Sequence, residues 1–342
     1  MSAAAQPSRG HLPKSVRAAQ SVAGGTQAAP VRQPYRREIE APAIAAPART
    51  QRQQVWDSFC SHRAAFISLI ILGSMIFICA VGPFVLQDPE AIDYDVLAAQ
   101  APSGAHLFGT DQLGRDVLAR LVNAGRTSLA IGFVVAFGAA AIGAWVGVMA
   151  GYFGGRVDSA LMWLVNVLMT IPSLPLLMSV AVLVASPSSA IGPLVKSVPE
   201  WFRIAAVLAL LGWMGISRVV RSQVVSLRNQ EFVEAARALG GTDSRIMLVH
   251  ILPNCVSVIA VFTTLAVSGA IIGESALSFL GLGVSPPTAT WGNMLAEARD
   301  LFAIMNYWWT VWFPALAIFI TVLSVNFIGD GVRDALDPKS MK

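Results

Sequence analysis

Residues 127–150 read TSLAIGFVVAFGAAAIGAWVGVMA, a stretch of 24 residues without one charged side chain. A helix needs roughly 20 apolar residues to cross the hydrocarbon core of a bilayer. The stretch therefore predicts a membrane-spanning helix. Gly143 and Gly147 within it, and Gly151 just after it, recur every four residues, a spacing that lets a second helix approach closely.

Five further runs predict a total of six spans. The shortest, residues 204–217, has 14 uncharged residues and reaches spanning length if Trp201 and Phe202 sit at the interface and Arg203 extends to it. Pro172 and Pro175 interrupt another run, either as a structural kink or as a flexible segment that lines a pathway. The run with these two prolines covers residues 159–185, and the three others are residues 64–86, 255–273 and 301–329; all four are charge-free.

The composition supports an all-α polytopic membrane protein. Hydrophobic residues make up 55% of the chain and charged residues 13%, against roughly 25% in soluble proteins. The net charge of +4 does not indicate nucleic acid as a partner, because nine of the 24 basic residues precede residue 64. The three cysteines lie in or beside apolar stretches without a CxxC spacing, which argues against a disulfide framework and a zinc site.

The domain plan follows from these runs. Trp56 and Phe59 lie three residues apart just before the first span, as in a helix that lies on the membrane surface, although a plain linker is the alternative. The predicted order is a disordered tail (1–55), an interfacial segment with the first span (56–86), an extracytoplasmic loop (87–126), a transmembrane core (127–330) with a loop at 218–253, and a C-terminal segment (331–342).

Basic residues set the predicted orientation. With the N-terminus inside, the inner segments hold 18 Lys and Arg residues and the outer segments hold six. Positively charged loops stay on the cytoplasmic side of a membrane. Both termini and the 218–253 loop are therefore expected in the cytoplasm.

No enzyme motif is present in the sequence. HExxH and GxSxG are absent, and the four histidines, at 11, 62, 106 and 250, are scattered along the chain. None of the four lysines, at 14, 196, 339 and 342, follows a glycine, so the GxxxxGK[ST] loop that holds nucleotide phosphates is missing. We expect no catalytic residue, metal or cofactor on this chain, and any nucleotide energy must come from another subunit.

The loop between the fourth and fifth predicted spans is the most informative part of the chain. Residues 230–239 favour a helix, Gly240-Gly241 ends it, and Thr242 or Asp243 can cap a second short helix that runs until Pro253. The first helix carries the acidic residues Glu231 and Glu234 and the small residues Ala235 and Ala236, which permit close approach by a partner.

This loop resembles the signature loop of permease subunits in type I binding-protein-dependent ABC importers. Glu234-Ala235-Ala236, Gly240 and Leu252-Pro253 stand at the family spacing. His250 replaces the usual isoleucine, a variant similar to that of peptide permeases. In the family the loop forms a coupling helix that docks onto the ATPase subunit. The resemblance thus implies a coupling role for these residues and for Glu231.

Further segments resemble the C-type subunits of dipeptide and oligopeptide permeases, from about residue 56 to 338. The first is FGTDQLGRDVLAR, whose outer-loop motif comprises Gly109, Thr110, Asp111, Gly114, Arg115 and Asp116. Its charges, with Arg120, can form a local salt-bridged structure or contact the binding protein or partner permease. The other segments are GYFGGRVD at 151–158, ESALSFLGLG at 274–283 and GDGVRDALDP at 329–338.

Polar residues within the spans are candidates for the transport pathway. Glu274 lies late in an apolar run, where a charge costs about 3 kcal/mol on insertion scales, so it is expected to pair with a basic residue at the outer rim or to line the route. Hydrogen bonds between helices are the alternative for the polar residues of the spans, Asn326 included. The candidates are Asn166, Ser173, Ser268, Glu274 and Ser278.

The resemblance implies a type I ABC transmembrane domain and a permease subunit of an ATP-driven importer in the bacterial inner membrane. Di- or oligopeptides are the implied cargo, and a nickel chelate, glutathione or an oligosaccharide is the alternative. The implied partners are a homologous permease in a heterodimer, two ATPase subunits that use the ATP, an extracytoplasmic binding protein and the lipid bilayer. A stand-alone secondary transporter would need paired intramembrane carboxylates, and only Glu274 qualifies.

Overall fold

A computed structural model describes residues 50–93, 99–186 and 197–336. These ranges form helices, with two isolated β-bridges and no strand, and the predicted all-α class is confirmed. Most of the predicted tail, residues 1–49, and residues 337–342 of the predicted C-terminal segment lie outside the described residues.

Twelve helices are labelled here within the described ranges, besides a short 3₁₀ turn at Gly82–Phe84. Helix α9 begins as Asp243–Arg245, passes through a π-helical segment at Ile246–Ile251 and continues as Leu252–Phe279. The helices are α1 (Gln51–Ser61), α2 (Arg63–Val81), α3 (Val117–Phe153), α4 (Gly155–Thr170), α5 (Ser173–Ala185), α6 (Glu200–Gly212), α7 (Met214–Leu227), α8 (Glu231–Ala238), α9 (Asp243–Phe279), α10 (Trp291–Glu297), α11 (Leu301–Asn306) and α12 (Trp308–Leu336).

Six spans result when each bent helix pair is counted as one, the number that the sequence predicts. Four segments are long and apolar enough to cross a bilayer on their own: α2 with the 3₁₀ turn, α3, α9 and α12. The pairs α4–α5 and α6–α7 pass the same test together, with bends of 95° and 42°.

Helix α3 is the centre of the bundle. Half of its most apolar window is buried inside the chain, against 22% to 28% for the other three long helices. Its three-glycine stripe lies directly against α7. A Cβ atom at Gly143 or Gly147 would lie 2.7 Å from the carbonyl oxygen of Trp213 or Ser217, and the predicted close helix contact is therefore present.

The third span is broken rather than merely kinked. Helix α4 ends at Thr170, Ile171 is extended, and α5 leaves at 95°. Pro172 and Pro175 have no backbone N–H, so the carbonyls of Leu168 and Ile171 lack the donors that a straight helix would supply. The loss of two hydrogen-bond donors within one turn explains why the bend exceeds an ordinary proline kink.

Two other runs differ in extent from the sequence prediction. Helix α3 begins at Val117 rather than at residue 127, because the Asp116 side chain caps it by accepting a hydrogen bond from the Ala119 N–H at 2.8 Å. The last run is divided between α11 and α12. The Asn306 side chain donates to the Phe302 carbonyl at 2.9 Å, which competes with helical bonding where α11 ends.

The segment before the first span is a helix, not an irregular linker. On α1, Phe59 is buried against Ala65 and Ala335, whereas Trp56 is 57% exposed. The His62 side chain caps α2 by accepting a hydrogen bond from the Ala65 N–H at 3.2 Å. The placement of α1 on the membrane surface remains a prediction.

The glycine stripe yields a test of the bundle. We expect Gly147→Ala to lower the melting temperature of the purified protein, since the new Cβ would lie 2.7 Å from the Ser217 carbonyl, and overpacking costs about 1–3 kcal/mol. Gly73→Ala on α2 is the matched control, because no atom lies within 4 Å of its added Cβ. Equal melting temperatures for the two variants would contradict the close α3–α7 contact.

Candidate functional site

The helix–glycine–helix elbow predicted from the sequence is present at one end of the bundle, called here the elbow end. Helix α8 covers Glu231–Ala238, and Gly240 follows it with a backbone φ of +79°, a left-handed conformation that favours glycine. The Thr242 hydroxyl then caps α9 by accepting a hydrogen bond from the Arg245 N–H at 3.4 Å. The turn is thus built by local backbone chemistry.

One apolar residue anchors the elbow to the bundle. The Val233 side chain is fully buried and belongs to the same cluster as Ile246, Met247 and Ile251 at the start of α9. The rest of α8 faces outward: Glu231, Glu234, Ala235 and Gly240 are exposed, and Ala236 is half-buried. Two large apolar side chains, Phe232 and Leu239, are 40% and 88% exposed beside them. The outward surface therefore combines acidic, small and apolar groups, which suits docking to a protein.

A second anchor was not predicted from the sequence. The Tyr152 hydroxyl, at the end of α3, donates a hydrogen bond to Asp243 Oδ1 at 2.6 Å. The Arg237 guanidinium lies 5.9 Å above the Tyr152 ring and donates to its hydroxyl at 3.5 Å. The GYFGGRVD segment that contains Tyr152 was interpreted as a turn, and nothing in its spacing points to a residue 91 positions later.

The second part of the elbow does not end at Pro253, contrary to the sequence prediction. The helix continues through Pro253 to Phe279 because the preceding turn is π-helical, and the Leu252 N–H donates to the Met247 carbonyl. The wider π turn directly before Pro253 accommodates the proline ring within α9. The Asn254 side chain donates to the His250 carbonyl at 2.7 Å. Leu252 and His250 are half-buried, and Pro253 is exposed.

Arginines of α7 and of the segment that follows it hold the neighbouring turn. Arg221 forms a two-point ion pair with Asp158, with 2.6 Å between Nη2 and Oδ2. Arg228 donates to the Gly151 carbonyl at 3.0 Å. These contacts fix the α3–α4 turn beside the elbow and give the GYFGGRVD segment a structural role.

The outer-loop motif lies at the opposite end of α3, called here the motif end. Gly109 and Gly114 both have a φ of +77°, which positions the chain for two tight turns. Thr110 is fully buried, and its carbonyl accepts a hydrogen bond from Trp309 Nε1 at 2.9 Å. Asp116 caps α3 with one oxygen and pairs with His106 Nδ1 at 2.9 Å through the other. The motif thus builds the start of the central helix.

The charged residues of the motif form a buried ion cluster. Asp111 Oδ2 lies 2.8 Å from Arg115 Nε and 2.7 Å from Arg120 Nη1. Glu297 on α10 pairs with the same two arginines at 2.9 Å and 2.8 Å, and Glu90 pairs with Arg115 at 3.1 Å. The local salt-bridged structure, one of the two interpretations left open by the sequence, is thus present. Contact of these residues with the binding protein or partner permease remains a prediction.

Burial shapes the chemistry of this cluster. Desolvation alone would lower the pKa of Arg115, but the carboxylates of Asp111 and Glu297 and a hydrogen bond to Glu90 outweigh it and raise the pKa above the ordinary arginine value. Arg115 therefore remains charged although only 6% of the residue is exposed. A cavity of about 350 Å³ adjoins the cluster.

The candidate pathway residues are not gathered in one place. Asn166 Oδ1 accepts a hydrogen bond from Arg218 Nη2 at 2.5 Å, and Ser173 is exposed at the break between α4 and α5. Ser268 is buried and donates to Asn326 Oδ1 at 3.1 Å, which joins α9 to α12. Asn166 and Ser268 thus form hydrogen bonds between helices, the alternative that the sequence left open.

Glu274 lacks the basic partner that the sequence led us to expect. It is 1% exposed, and no arginine or lysine of the described ranges pairs with it. Whether it lines the route remains a prediction. Its Oε1 atom accepts hydrogen bonds from Ser278 at 2.7 Å and Thr290 at 2.8 Å. Hydroxyl groups take the place of the expected basic partner and join α9 to the start of α10. In the part of the chain that the structure describes, no three His, Cys, Asp or Glu residues are grouped to hold a metal.

Comparison with known proteins places the chain among transport permeases. The family described as binding-protein-dependent transport system inner membrane component matches residues 143–342, and the N-terminal TM domain of oligopeptide transport permease C matches residues 50–102. The dipeptide transport system permease protein DppC of Bacillus subtilis is 36% identical over 88% of this chain and 89% of its own length. The oligopeptide transport system permease protein OppC of Haemophilus influenzae is 39% identical over 82% and 86%.

The ion cluster gives a stability prediction. Arg120→Met would leave Asp111 and Glu297 without one of their two shared cations, and breaking a buried ion pair in this way costs about 3–5 kcal/mol. We expect a clear fall in melting temperature of the detergent-solubilised protein. Arg299→Met removes an exposed arginine whose described bond is to the Phe279 carbonyl at 3.3 Å, and it should change little. An equally small change of melting temperature in both variants would show that the ion cluster contributes little to the stability of the protein.

Proposed function

The chain belongs to the family of binding-protein-dependent transport system inner membrane components, and we propose that it is the C-type permease subunit of an ATP-driven importer of di- or oligopeptides. The observation that carries this proposal is the elbow: an exposed helix with the EAA signature, anchored by a buried valine and joined to a spanning helix by the short turn at Gly240. The relatives named for dipeptide and oligopeptide transport match more than four fifths of both chains, which supports peptides over a nickel chelate, glutathione or an oligosaccharide.

The elbow suits the transmission of force from an ATPase. Its outward surface offers Glu231, Glu234 and the small residues Ala235 and Ala236, which let another protein approach the helix backbone. Buried contacts of Val233 and the hydrogen bond from Tyr152 to Asp243 fix the elbow to α9 and α3. A push on α8 by a docked ATPase would therefore move the spans rather than bend the loop.

An importer of this kind needs further subunits besides this chain. Six spans of one chain are too few to enclose a hydrophilic path, so a homologous permease would complete it as a heterodimer. Two ATPase subunits would bind and hydrolyse the ATP, and an extracytoplasmic binding protein would deliver the cargo at the motif end. This chain itself would carry no cofactor and no covalent chemistry.

The proposed orientation places the elbow and both termini in the cytoplasm of a bacterial cell. It rests on the excess of basic residues, 18 against six, and on the need for the coupling helix to reach cytoplasmic ATPases. The stand-alone secondary transporter remains the weaker alternative, since the lone Glu274 is hydrogen-bonded to hydroxyl groups and has no second carboxylate beside it among the described contacts.

The coupling role predicts a selective effect of Glu234→Lys. The reversed charge should leave membrane insertion intact, because Glu234 is exposed at the elbow, and should abolish co-purification of the ATPase. We expect uptake to fall about tenfold or more, which corresponds to roughly 1.4 kcal/mol of docking free energy. Asp300→Lys, an exposed charge reversal at the motif end, is the control for ATPase retention. Normal retention with normal uptake in Glu234→Lys would remove the coupling assignment.

The orientation is tested with single cysteines in a variant that lacks Cys60, Cys79 and Cys255. Ser103→Cys near the motif end should react with a membrane-impermeant thiol reagent in intact cells, whereas Ser244→Cys at the elbow should react only after the cells are opened. Both serines are exposed, so accessibility differs only by the side of the membrane. Labelling of Ser244→Cys in intact cells would reverse the proposed topology.

A further inference from the structure

The break between α4 and α5 opens onto a hollow of about 740 Å³ near the middle of the bundle. Val135, the central residue of the 37-residue helix α3, lies on its wall. Leu208 of α6 and Ala270 of α9 also line it. The hollow is thus at mid-depth and is surrounded by spanning helices on several sides.

The lining of this hollow is uncharged. Among the described residues that form its wall, none carries a charge, and the polar side chains are those of Thr170 and Ser173 at the helix break. The Thr170 hydroxyl is already used, since it donates to the Val167 carbonyl at 2.6 Å. The wall therefore offers few side-chain groups that could distinguish one amino-acid side chain from another.

The break nevertheless supplies polar backbone groups. In a straight helix the carbonyls of Leu168 and Ile171 would accept from residues 172 and 175, and both of these are prolines without an N–H. At membrane depth, irregular backbone is tolerated only where it is buried in protein or faces a water-filled cavity. The backbone of a packed partner helix could not satisfy these carbonyls, because its own N–H groups are already hydrogen-bonded within it, so only side-chain donors of that helix, water or a bound peptide could do so.

Gly269 indicates that space is left open rather than filled. It lies on the wall of the hollow, inside α9, where glycine is a much poorer helix former than alanine. No atom lies within 4 Å of the Cβ that a side chain would add there, so packing within this chain does not require glycine. The neighbouring Gly273 does have such a contact, with a Leu208 methyl group 3.4 Å from the added Cβ.

We propose that this hollow contacts the peptide during translocation and binds its backbone N–H groups through the carbonyls of the α4–α5 break that lose their helical donors to the two prolines, while Gly269 keeps the passage wide. The inference rests on the proposed peptide import. A peptide in extended form presents backbone N–H groups whatever its side chains are, so a wall of this kind would accept many sequences. The width of the hollow at Gly269 would limit the size of the peptide that can pass and would not select for its amino-acid sequence.

The test uses the complete assembly, reconstituted in vesicles with its partner permease, ATPases and binding protein. Gly269→Leu should lower uptake of a pentapeptide about tenfold while uptake of a dipeptide falls less, and the binding-protein-stimulated ATPase activity should persist. Gly73→Leu is the matched control, because Gly73 also has open space around it but lies on α2, away from the hollow. It should leave both uptakes unchanged.

A second experiment detects contact between the peptide and the hollow directly, by cross-linking. In a variant without the native cysteines, a pentapeptide that carries a maleimide should form a thioether with Gly269→Cys during ATP-driven uptake, and none with Gly73→Cys. Equal capture at both positions, or none at Gly269→Cys, would overturn the inference, as would Gly269→Leu with unchanged pentapeptide uptake.

The remaining outcomes separate this inference from the proposed function. If Gly269→Leu no longer co-purifies with the partner permease, the partner fills the hollow and the inference is wrong, although peptide import stands. If the unaltered assembly takes up no peptide, the proposed cargo is wrong and the inference fails with it.

Discussion

The close contact between the backbones of α3 and α7 is the constraint on which the rest of the bundle depends. Three glycines at four-residue intervals leave one face of α3 without side chains, and carbonyl groups of Trp213 and Ser217 occupy that space. In lipid the hydrophobic effect does not drive one apolar helix against another, so close packing and interhelical hydrogen bonds must do so. Because α3 also contacts α2, α6 and α9, the position fixed by this contact sets the positions of the elbow at one end and the ion cluster at the other.

A second constraint is that backbone polar groups need partners wherever water is scarce. The π turn before Pro253 meets this need by shifting the hydrogen-bond pattern by one residue and by recruiting the Asn254 side chain. The break at Pro172 does not meet it in the same way, because two prolines remove two donors within one turn. The two proline sites thus have opposite consequences. Helix α9 continues through Pro253, whereas the break at Pro172 leaves polar backbone groups within an otherwise apolar surface.

The sequence predicted those features that depend on local chemistry. Charge-free runs located the six spans, and Gly240 and Thr242 predicted the elbow, because turn conformation and capping are decided by neighbouring residues. Contacts between distant residues were not predictable in this way. Glu297 lies 182 positions from Arg115 with no periodic signal between them, and Asp243, the partner of Tyr152, lies 91 positions away from it. The charge-free criterion also missed the division at Asn306, since it measures polarity and not backbone hydrogen bonding.

Helix α9 gives the chain a mechanical property beyond its role as a span. Its 37 residues correspond to a rod of about 55 Å, with the elbow at one tip and Glu274, bonded to the start of α10, near the other. No loop interrupts the rod to absorb motion. A pivot at the elbow tip would therefore swing the far tip by roughly 1 Å per degree of tilt, by the geometry of a rod of that length. A small tilt of α9 at the elbow would therefore produce a larger displacement of its other end, on the opposite side of the membrane, at the same time.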